Sequence, residues 1–257
     1  MGLDGLVSLT REMIDGVMSS EEEHYARGLS AGVFNPVLVI SEGEAHTIVL
    51  PQLPGEVYLF LLAFDQGHRK TAVGLLFSKE AATWKLSAEY VGGMFSVGGR
   101  TARGWFEEAR TLSSKDDIVA AALRLDAAAK CIRPIPTMQY GFEKDLQEFG
   151  RSVQARLAAK FPFPIRLTEV EGAPEILQVN TAFETDALVP TMDVLTTTPL
   201  ADTALLENEA ARIEKVLASR LPGLCTGARS YMFKAFSERP VDPKREYTFY
   251  GLKRTCP

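Results

Sequence analysis

The chain has 257 residues, of which 46% are hydrophobic and 24% are charged, and its formal net charge is -5. This composition is typical of a folded globular protein and excludes a disordered or fibrous chain. The negative charge also argues against nucleic-acid binding, because such binding requires many Lys and Arg side chains to neutralise phosphates.

Cysteine usage and hydropathy indicate the compartment. Cys131, Cys225 and Cys256 are odd in number and far apart and show no Cys-x-x-Cys spacing, so we expect them to be reduced and to bind no metal. Charged residues interrupt the apolar N-terminal segment, and the most apolar run, residues 57–64, is far shorter than the roughly 20 residues of a membrane-spanning helix. The sequence therefore predicts a cytoplasmic protein that does not contact a membrane.

The first part of the chain predicts helical turns followed by hairpins. Apolar residues recur at helical spacing in residues 6–18, and Ser20 with Glu23 forms a capping box that predicts a further helical turn toward Leu29. Two predicted hairpins follow, with strands at residues 36–41, 45–50, 56–65 and 71–78. Periodicity alone does not separate a buried strand from a buried helix at residues 56–65.

Four longer helices are predicted, at residues 101–112, 116–130, 142–161 and 202–221. Ser114 is expected to cap the second of these and Asp202 the fourth. Pro134 and Pro136 cannot continue a helix, because proline lacks the backbone donor. We therefore predict two domains, residues 1–133 and 134–257.

The second half contains five predicted strands, at residues 165–170, 175–181, 189–197, 229–237 and 246–253. Together with its helices it has the order helix, three strands, helix, two strands. The predicted fold class is therefore α+β, with antiparallel sheets flanked by helices. This element order resembles that of bacterial secretion chaperones and related small protein-binding folds, which implies a binding role.

The two halves share a short pattern. Residues 26–43 and 155–172 each contain Ala-Arg, a strand that begins with proline and a Glu-Gly turn. One explanation is an internal duplication that produces two similar α+β units. The other is chance recurrence of the proline and glycine residues that punctuate many α/β chains.

A glycine-rich stretch at residues 92–101 is the most suggestive motif. It lies between a predicted strand and a predicted helix, where backbone N–H groups can converge on a phosphate. The stretch departs from the Walker pattern, because an extra Gly99 intrudes and Arg100 replaces the lysine. The candidate ligand-binding residues are Gly93, Gly98, Gly99, Arg100 and Thr101. The alternative is a turn in which the glycines supply positive φ angles.

No complete catalytic motif accompanies this stretch. The histidines are His24, His46 and His68. None has metal-binding spacing, although Glu44 with His46, or Asp65 with His68, could form an acid–base pair. Ser78 is not in a nucleophile elbow and Cys131 lacks a local catalytic signature. Catalytic residues are therefore unassigned, and neither a metal nor a cofactor is predicted.

The C-terminal segment is locally basic and aromatic. Residues 221–257 contain seven basic and three acidic residues, an excess that could attract an acidic partner or simply be a solvated strand face. The aromatic residues of the predicted closing hairpin are Tyr231, Phe233, Phe236, Tyr247, Phe249 and Tyr250. Such residues could stack nucleic-acid bases, but at alternating positions they are more typical of a sheet core.

Two functional hypotheses follow. The first is a non-enzymatic, chaperone- or adaptor-like protein that binds another protein or a second copy of itself, and an exposed sheet edge or apolar patch would support it. The second is a phosphate- or nucleotide-binding enzyme that uses residues 92–101.

Overall fold

The computed structural model describes residues 22–31, 36–41, 44–49, 54–65, 69–81, 83–132, 138–184, 187–242 and 244–256. The chain has an α+β fold with mostly antiparallel sheets, as predicted. It divides into two compact units. The first unit contains residues 1–103 and 128–145, and the second contains residues 104–127 and 146–257.

The first unit consists mainly of two antiparallel sheets. The larger sheet is formed by β1 (Glu22–Ala31), β4 (Pro54–Asp65), β5 (Arg69–Glu80), β6 (Thr83–Val97) and β7 (Arg100–Thr101), in that spatial order. The smaller sheet is formed by β2 (Pro36–Ser41), β3 (Glu44–Val49) and β8 (Met138–Tyr140), also in spatial order. Both predicted hairpins are confirmed, and residues 56–65 belong to a strand.

One local prediction in the first unit is wrong. The capping box at Ser20 and Glu23 predicted helix toward Leu29, but β1 is a strand in which Glu23 pairs with Leu62 of β4. A single capping signal is worth about 1 kcal/mol, and ten residues of regular pairing with the apolar β4 outweigh it. The helix predicted at residues 6–18 lies outside the described residues.

Four helices lie within the described residues: α1 (Ala102–Ser114), α2 (Ile118–Cys131), α3 (Glu143–Lys160) and α4 (Thr203–Arg220). The predicted cap of α4 is confirmed, because the Asp202 side chain accepts a hydrogen bond from the Leu205 N–H at 3.0 Å. The predicted cap of α2 is wrong. Asp117 accepts from the Ala120 N–H at 3.3 Å, whereas the Ser114 hydroxyl donates back into α1.

The second unit contains a five-stranded mixed sheet. Its strands are β9 (Ile165–Arg166), β10 (Glu175–Glu184), β11 (Ala187–Leu195), β12 (Ser230–Phe236) and β13 (Phe249–Thr255), and their spatial order is β13-β12-β11-β10-β9. The pair β11–β12 is parallel, which corrects the purely antiparallel arrangement expected for this half. The reason is the connection: α4 returns the chain to the same end of the sheet, as a parallel pair requires.

Helices cover one face of this sheet, which we call the inner face. The Thr181 hydroxyl of β10 donates to the Leu123 carbonyl of α2 at 2.8 Å, and Arg254 of β13 pairs with Glu214 of α4. The strand register places Thr181 and Arg254 on the same face. The opposite, outer face carries the alternate residues of each strand.

The helical spacing of Leu205, Leu206, Ile213, Val216 and Leu217 forms one apolar stripe on α4, which predicts that these residues face the sheet. Leu206, Ile213 and Leu217 are buried, whereas Val216 is half-buried. Leu205 was predicted to face the sheet but is 48% exposed, because it lies at the margin of the stripe in the first turn of the helix.

Two organisational predictions have different outcomes. The internal duplication is not confirmed, because Ala26 and Arg27 lie in a strand whereas the corresponding Ala155 and Arg156 lie in a helix. The predicted domain boundary after residue 133 lies outside the described residues and stays a prediction. No helix in the described part of the chain is long and apolar enough to cross a membrane.

Candidate functional site

The glycine-rich stretch is a strand end and a tight turn, and not one continuous loop. Strand β6 runs through Gly93, which pairs with Ala72, and ends at Val97. Gly98 and Gly99 have φ angles of 57° and 69° and connect Val97 to Arg100 as a two-residue hairpin turn.

The structure brings together four of the five candidate ligand-binding residues. Gly98, Gly99, Arg100 and Thr101 are consecutive and lie directly before α1. Gly93 lies five residues earlier along the strand, about 16 Å away at the usual rise per residue. The positive φ angles account for both glycines of the turn, and anion binding at this position stays a prediction.

Within the described residues, the histidines are not brought together in a catalytic site. His24 was expected in a helix but lies in β1, opposite Leu61. His46 lies in β3, opposite Tyr140. His68 lies outside the described residues. The described residues include no group of three or more His, Cys, Asp or Glu side chains that could hold a metal ion.

The predicted redox state of the cysteines is wrong for two of the three. Cys225 and Cys256 form a disulfide, and Cys131 is free and buried. Their separation of 31 residues has no diagnostic pattern, but the β12–β13 hairpin brings the two ends of the segment together. Burial raises the pKa of the Cys131 thiol to about 12, so this thiol is not a reactive nucleophile.

Three of the six aromatic residues of the closing hairpin are core residues. Tyr231 and Phe233 are fully buried on the inner face of the sheet, and Phe236 is also buried. The Tyr247 hydroxyl accepts hydrogen bonds from two loop N–H groups. Tyr250 is half-buried, and Phe249 has 48% of its surface exposed. The hairpin therefore does not present the row of open rings that base stacking requires.

The backbone pattern of β13 leaves one side of this strand open. The Cys256 N–H donates to the Arg229 carbonyl at 3.0 Å, so these residues form a hydrogen-bonded pair. Such pairs alternate along an antiparallel ladder. The backbone groups that point away from β12 therefore belong to Phe249, Gly251, Lys253 and Thr255. We call this row the β13 edge; no other described strand pairs with it.

The outer face of the β13 edge has a specific side-chain arrangement. A side chain at Gly251 would meet the Phe249 ring at 3.4 Å and the Met232 sulfur at 3.9 Å. The Phe249 ring thus fills the space that the glycine leaves, as aromatic residues do beside glycines of edge strands. The Lys234 ammonium lies 5.1 Å from the centre of the same ring and adds a cation–π contact.

Charged side chains near the β13 edge pair within the chain. Lys253 pairs with Glu184, and Arg254 with Glu214. Because Glu184 lies on β10, the Lys253 ammonium is drawn over the outer face and not beyond the edge. Arg239 and Arg245 also have glutamate partners. Much of the basic excess that could attract an acidic partner is thus neutralised by ion pairs within the chain.

Two other strands with a free edge, β6 and β10, are interrupted. The pairing of β6 with β5 shifts register at three points, and bulges of this kind hinder the addition of another strand. On β10, the Thr181 N–H donates to the Asp126 carboxylate at 2.8 Å, so this edge group is already used. The β12–β13 ladder has no register shift, so the β13 edge is regular.

The outer face also contains two buried polar atoms. Thr191 and Asp193 on β11 are 3% and 6% exposed. Gln178 donates to Asp193 Oδ2 at 2.7 Å, but Asp193 Oδ1 and Thr191 Oγ1 have no hydrogen-bond partner within the described structure. They lie two strands from the β13 edge and are separate from it.

The loop before β12 is fixed to the helices by buried polar contacts. The Arg124 guanidinium donates to the Thr226 carbonyl at 2.7 Å, and the Thr226 hydroxyl donates to Asp117 at 2.7 Å. Burial lowers the pKa of Arg124, although the charge of Asp117 opposes this shift. The loop carries Cys225, so these contacts and the disulfide together position the end of β13.

Comparison with protein-family models, curated proteins and solved structures finds no match to this chain.

Proposed function

We propose that this protein is a non-enzymatic binding protein that binds an extended polypeptide segment along the β13 edge. The observation that carries the proposal is the regular row of outward backbone groups at Phe249, Gly251, Lys253 and Thr255. In strand addition, such groups supply the hydrogen bonds of binding, and the neighbouring side chains supply specificity. A chaperone- or adaptor-like role is the form of this proposal that the element order favours.

The side chains beside the edge suit a polypeptide partner. Phe249 offers an exposed ring on the outer face, and the Lys253 ammonium is held away from the edge by Glu184. A flanking lysine usually discourages strand addition when its charge extends past the edge. Here the partner backbone can approach β13 without displacing that charge.

Two candidate nucleophiles are engaged in the interior, which supports binding over catalysis. The Ser78 hydroxyl is buried and lies 2.6 Å from the Ser87 hydroxyl. Cys131 is buried, with its pKa raised to about 12. Neither group is placed to attack a bound substrate. A phosphate- or nucleotide-binding enzyme that uses residues 92–101 stays the alternative prediction.

The disulfide bears on where this binding takes place. A cytoplasmic location was expected because all three cysteines were predicted to be reduced, and the Cys225–Cys256 bond removes that reason. Disulfides persist in oxidising compartments, so we propose that the protein binds its partner in such a compartment. Alkylation of thiols in intact cells followed by mass analysis tests it. Labelling of both Cys225 and Cys256 would instead place the protein in a reducing compartment such as the cytoplasm.

A proline substitution tests the edge directly. The Gly251 N–H points away from β12, so Gly251→Pro keeps the internal ladder but removes an edge donor. Gly251→Ala is the matched control, because it adds a β-carbon and keeps the N–H. The probe is a peptide of about 12 residues selected from a random phage-displayed library on the wild-type protein, a length that matches a long strand.

Isothermal titration then compares the three proteins. We expect Gly251→Ala to bind the peptide within about threefold of wild type, and Gly251→Pro to bind at least about tenfold more weakly, a loss of about 1.4 kcal/mol. Urea unfolding must show that the proline variant is folded. Equal peptide affinity in a folded Gly251→Pro variant would contradict binding at the β13 edge.

A further inference from the structure

We infer that the segment bound at the β13 edge is β13 of a second copy of the chain, so that two copies form a two-fold symmetric dimer with one sheet running through both. This inference rests on the proposed function, because it names the partner of the same edge. An interface on a two-fold axis must be complementary to itself. The sequence of β13 meets this requirement.

Backbone geometry limits the possible registers. Two antiparallel copies can exchange hydrogen bonds only when outward residues face outward residues. With the two-fold axis at Leu252, Phe249 faces the partner's Thr255, and Gly251 faces the partner's Lys253. This register uses all seven residues of β13. It provides about eight backbone hydrogen bonds, two for each outward pair.

Side chains favour the same register. Like charges directly opposite each other destabilise a strand pair. With the axis at Leu252, Lys253 faces the partner's Gly251, which has no side chain. Tyr250 faces the partner's Arg254, a cation–π combination. Moving the axis to Lys253 would oppose the two ammonium groups, and moving it to Gly251 would shorten the ladder.

The intramolecular contacts prepare β13 for this pairing. Glu184 holds the Lys253 ammonium over the outer face, and Glu214 pairs with the Arg254 guanidinium. In each copy, the charges of Lys253 and Arg254 are therefore already paired when the two β13 strands meet. The Phe249 ring covers Gly251 on the outer face, so the glycine leaves the edge accessible without opening a gap in that face.

Sedimentation velocity of the full chain tests the dimer. Small strand-edge interfaces are weak, so the protein is examined from about 1 to about 500 µM, a range that covers the dissociation constants expected of transient complexes. We expect the mass to rise from one chain to two in wild type and in Gly251→Ala. We expect Gly251→Pro to weaken association at least about tenfold.

A cross-link tests the register. At the two-fold axis, Leu252 lies opposite itself with about 4.5 Å between α-carbons, within the range that a disulfide spans. Under mild oxidation, Leu252→Cys should form a covalent dimer in which the introduced cysteine is linked to itself. Tyr250→Cys is the control, because its two copies lie about 13 Å apart in this register.

The outcomes separate this inference from the proposed function. A wild-type protein that stays monomeric throughout the concentration range overturns the inference, as does a dimer that Gly251→Pro leaves intact. If the monomer still binds the selected peptide and loses it in Gly251→Pro, the proposed function stands without the dimer. If neither association nor peptide binding responds to Gly251→Pro, both are wrong.

Discussion

Breaking the Cys225–Cys256 disulfide should destabilise the second unit without changing its native contacts. After reduction, the Thr226 carbonyl still accepts from Arg124, and the Cys256 N–H still donates to the Arg229 carbonyl. The native loop and strand end therefore keep their hydrogen bonds. The main effect is expected in the unfolded chain, which gains the conformational freedom that the cross-link had removed.

The size of this effect follows from the separation of the two cysteines. The bond closes a loop across a separation of 31 residues. In the chain-entropy model, a loop of this length corresponds to about 3.7 kcal/mol at 25 °C. Small domains are stable by only about 5–15 kcal/mol, so reduction should remove a large share of the stability of this unit.

Urea unfolding with and without dithiothreitol measures the loss. We expect reduction to lower the unfolding free energy of wild type by about 3–4 kcal/mol. The double variant Cys225→Ser/Cys256→Ser should match reduced wild type and should not respond to dithiothreitol. Thiol titration of unfolded, unreduced protein should detect Cys131 alone. A change below about 0.5 kcal/mol on reduction, with that single thiol confirmed, would refute the entropic reasoning.

Three further predictions test other positions. Gly223 has a φ of +90°, and an added β-carbon would lie 1.9 Å from Asp117 Oδ1. Gly223→Ala should therefore lower the free energy of unfolding in urea by about 2–3 kcal/mol. Gly150→Ala, in an open helix position, should raise it by up to about 1 kcal/mol. A larger loss of stability in Gly150→Ala than in Gly223→Ala would contradict the placement of Gly223 against Asp117. For the glycine turn, we expect titration calorimetry to show no nucleotide binding by wild type. We also expect Arg100→Ala to change the free energy of unfolding by less than about 0.5 kcal/mol. Nucleotide binding by wild type that disappears in Arg100→Ala would favour the anion site. Burial, followed by the negative charge of Glu214, raises the pKa of Tyr231 to about 12. The neutral Tyr231 side chain therefore contributes fully to the free energy of unfolding below about pH 10, and this contribution is lost as the pH rises toward 12. Tyr231→Phe should lose less stability than wild type across this range, and identical pH profiles would exclude Tyr231 as the cause.

Local patterns predicted the elements that depend on local physics. In the sequence, Gly43 separates the predicted hairpin strands at residues 36–41 and 45–50, and the structure pairs Pro36–Ser41 with Glu44–Val49. The cap at Asp202 was predictable because the Asp202 carboxylate and the Leu205 N–H that donates to it are only three residues apart, within one helical turn. Such features need only a few neighbouring residues and are visible in the sequence.

The features that sequence analysis missed depend on residues far apart in the chain. Strand β1 is stabilised by its pairing with β4. The Cys225–Cys256 bond forms because the β12–β13 hairpin brings the residues that flank it close together. Neither follows from composition or spacing. The candidate site was only partly visible: the strand and its aromatic residues were predicted, whereas the open edge depends on which strand pairs with β13.

The division of the chain into two interleaved units has a consequence for protein synthesis. The first unit is completed by residues 128–145, after much of the α1–α2 segment of the second unit has been made. Ile48 of β3 is synthesised 90 residues before its partner Met138, a delay of about 5–18 s at usual translation rates. Likewise, Asp117 precedes its partner Thr226 by 109 residues. The ribosome therefore releases strand edges and helix surfaces well before their partners exist. Folding of each unit must therefore wait for chain that emerges after part of the other unit has been made.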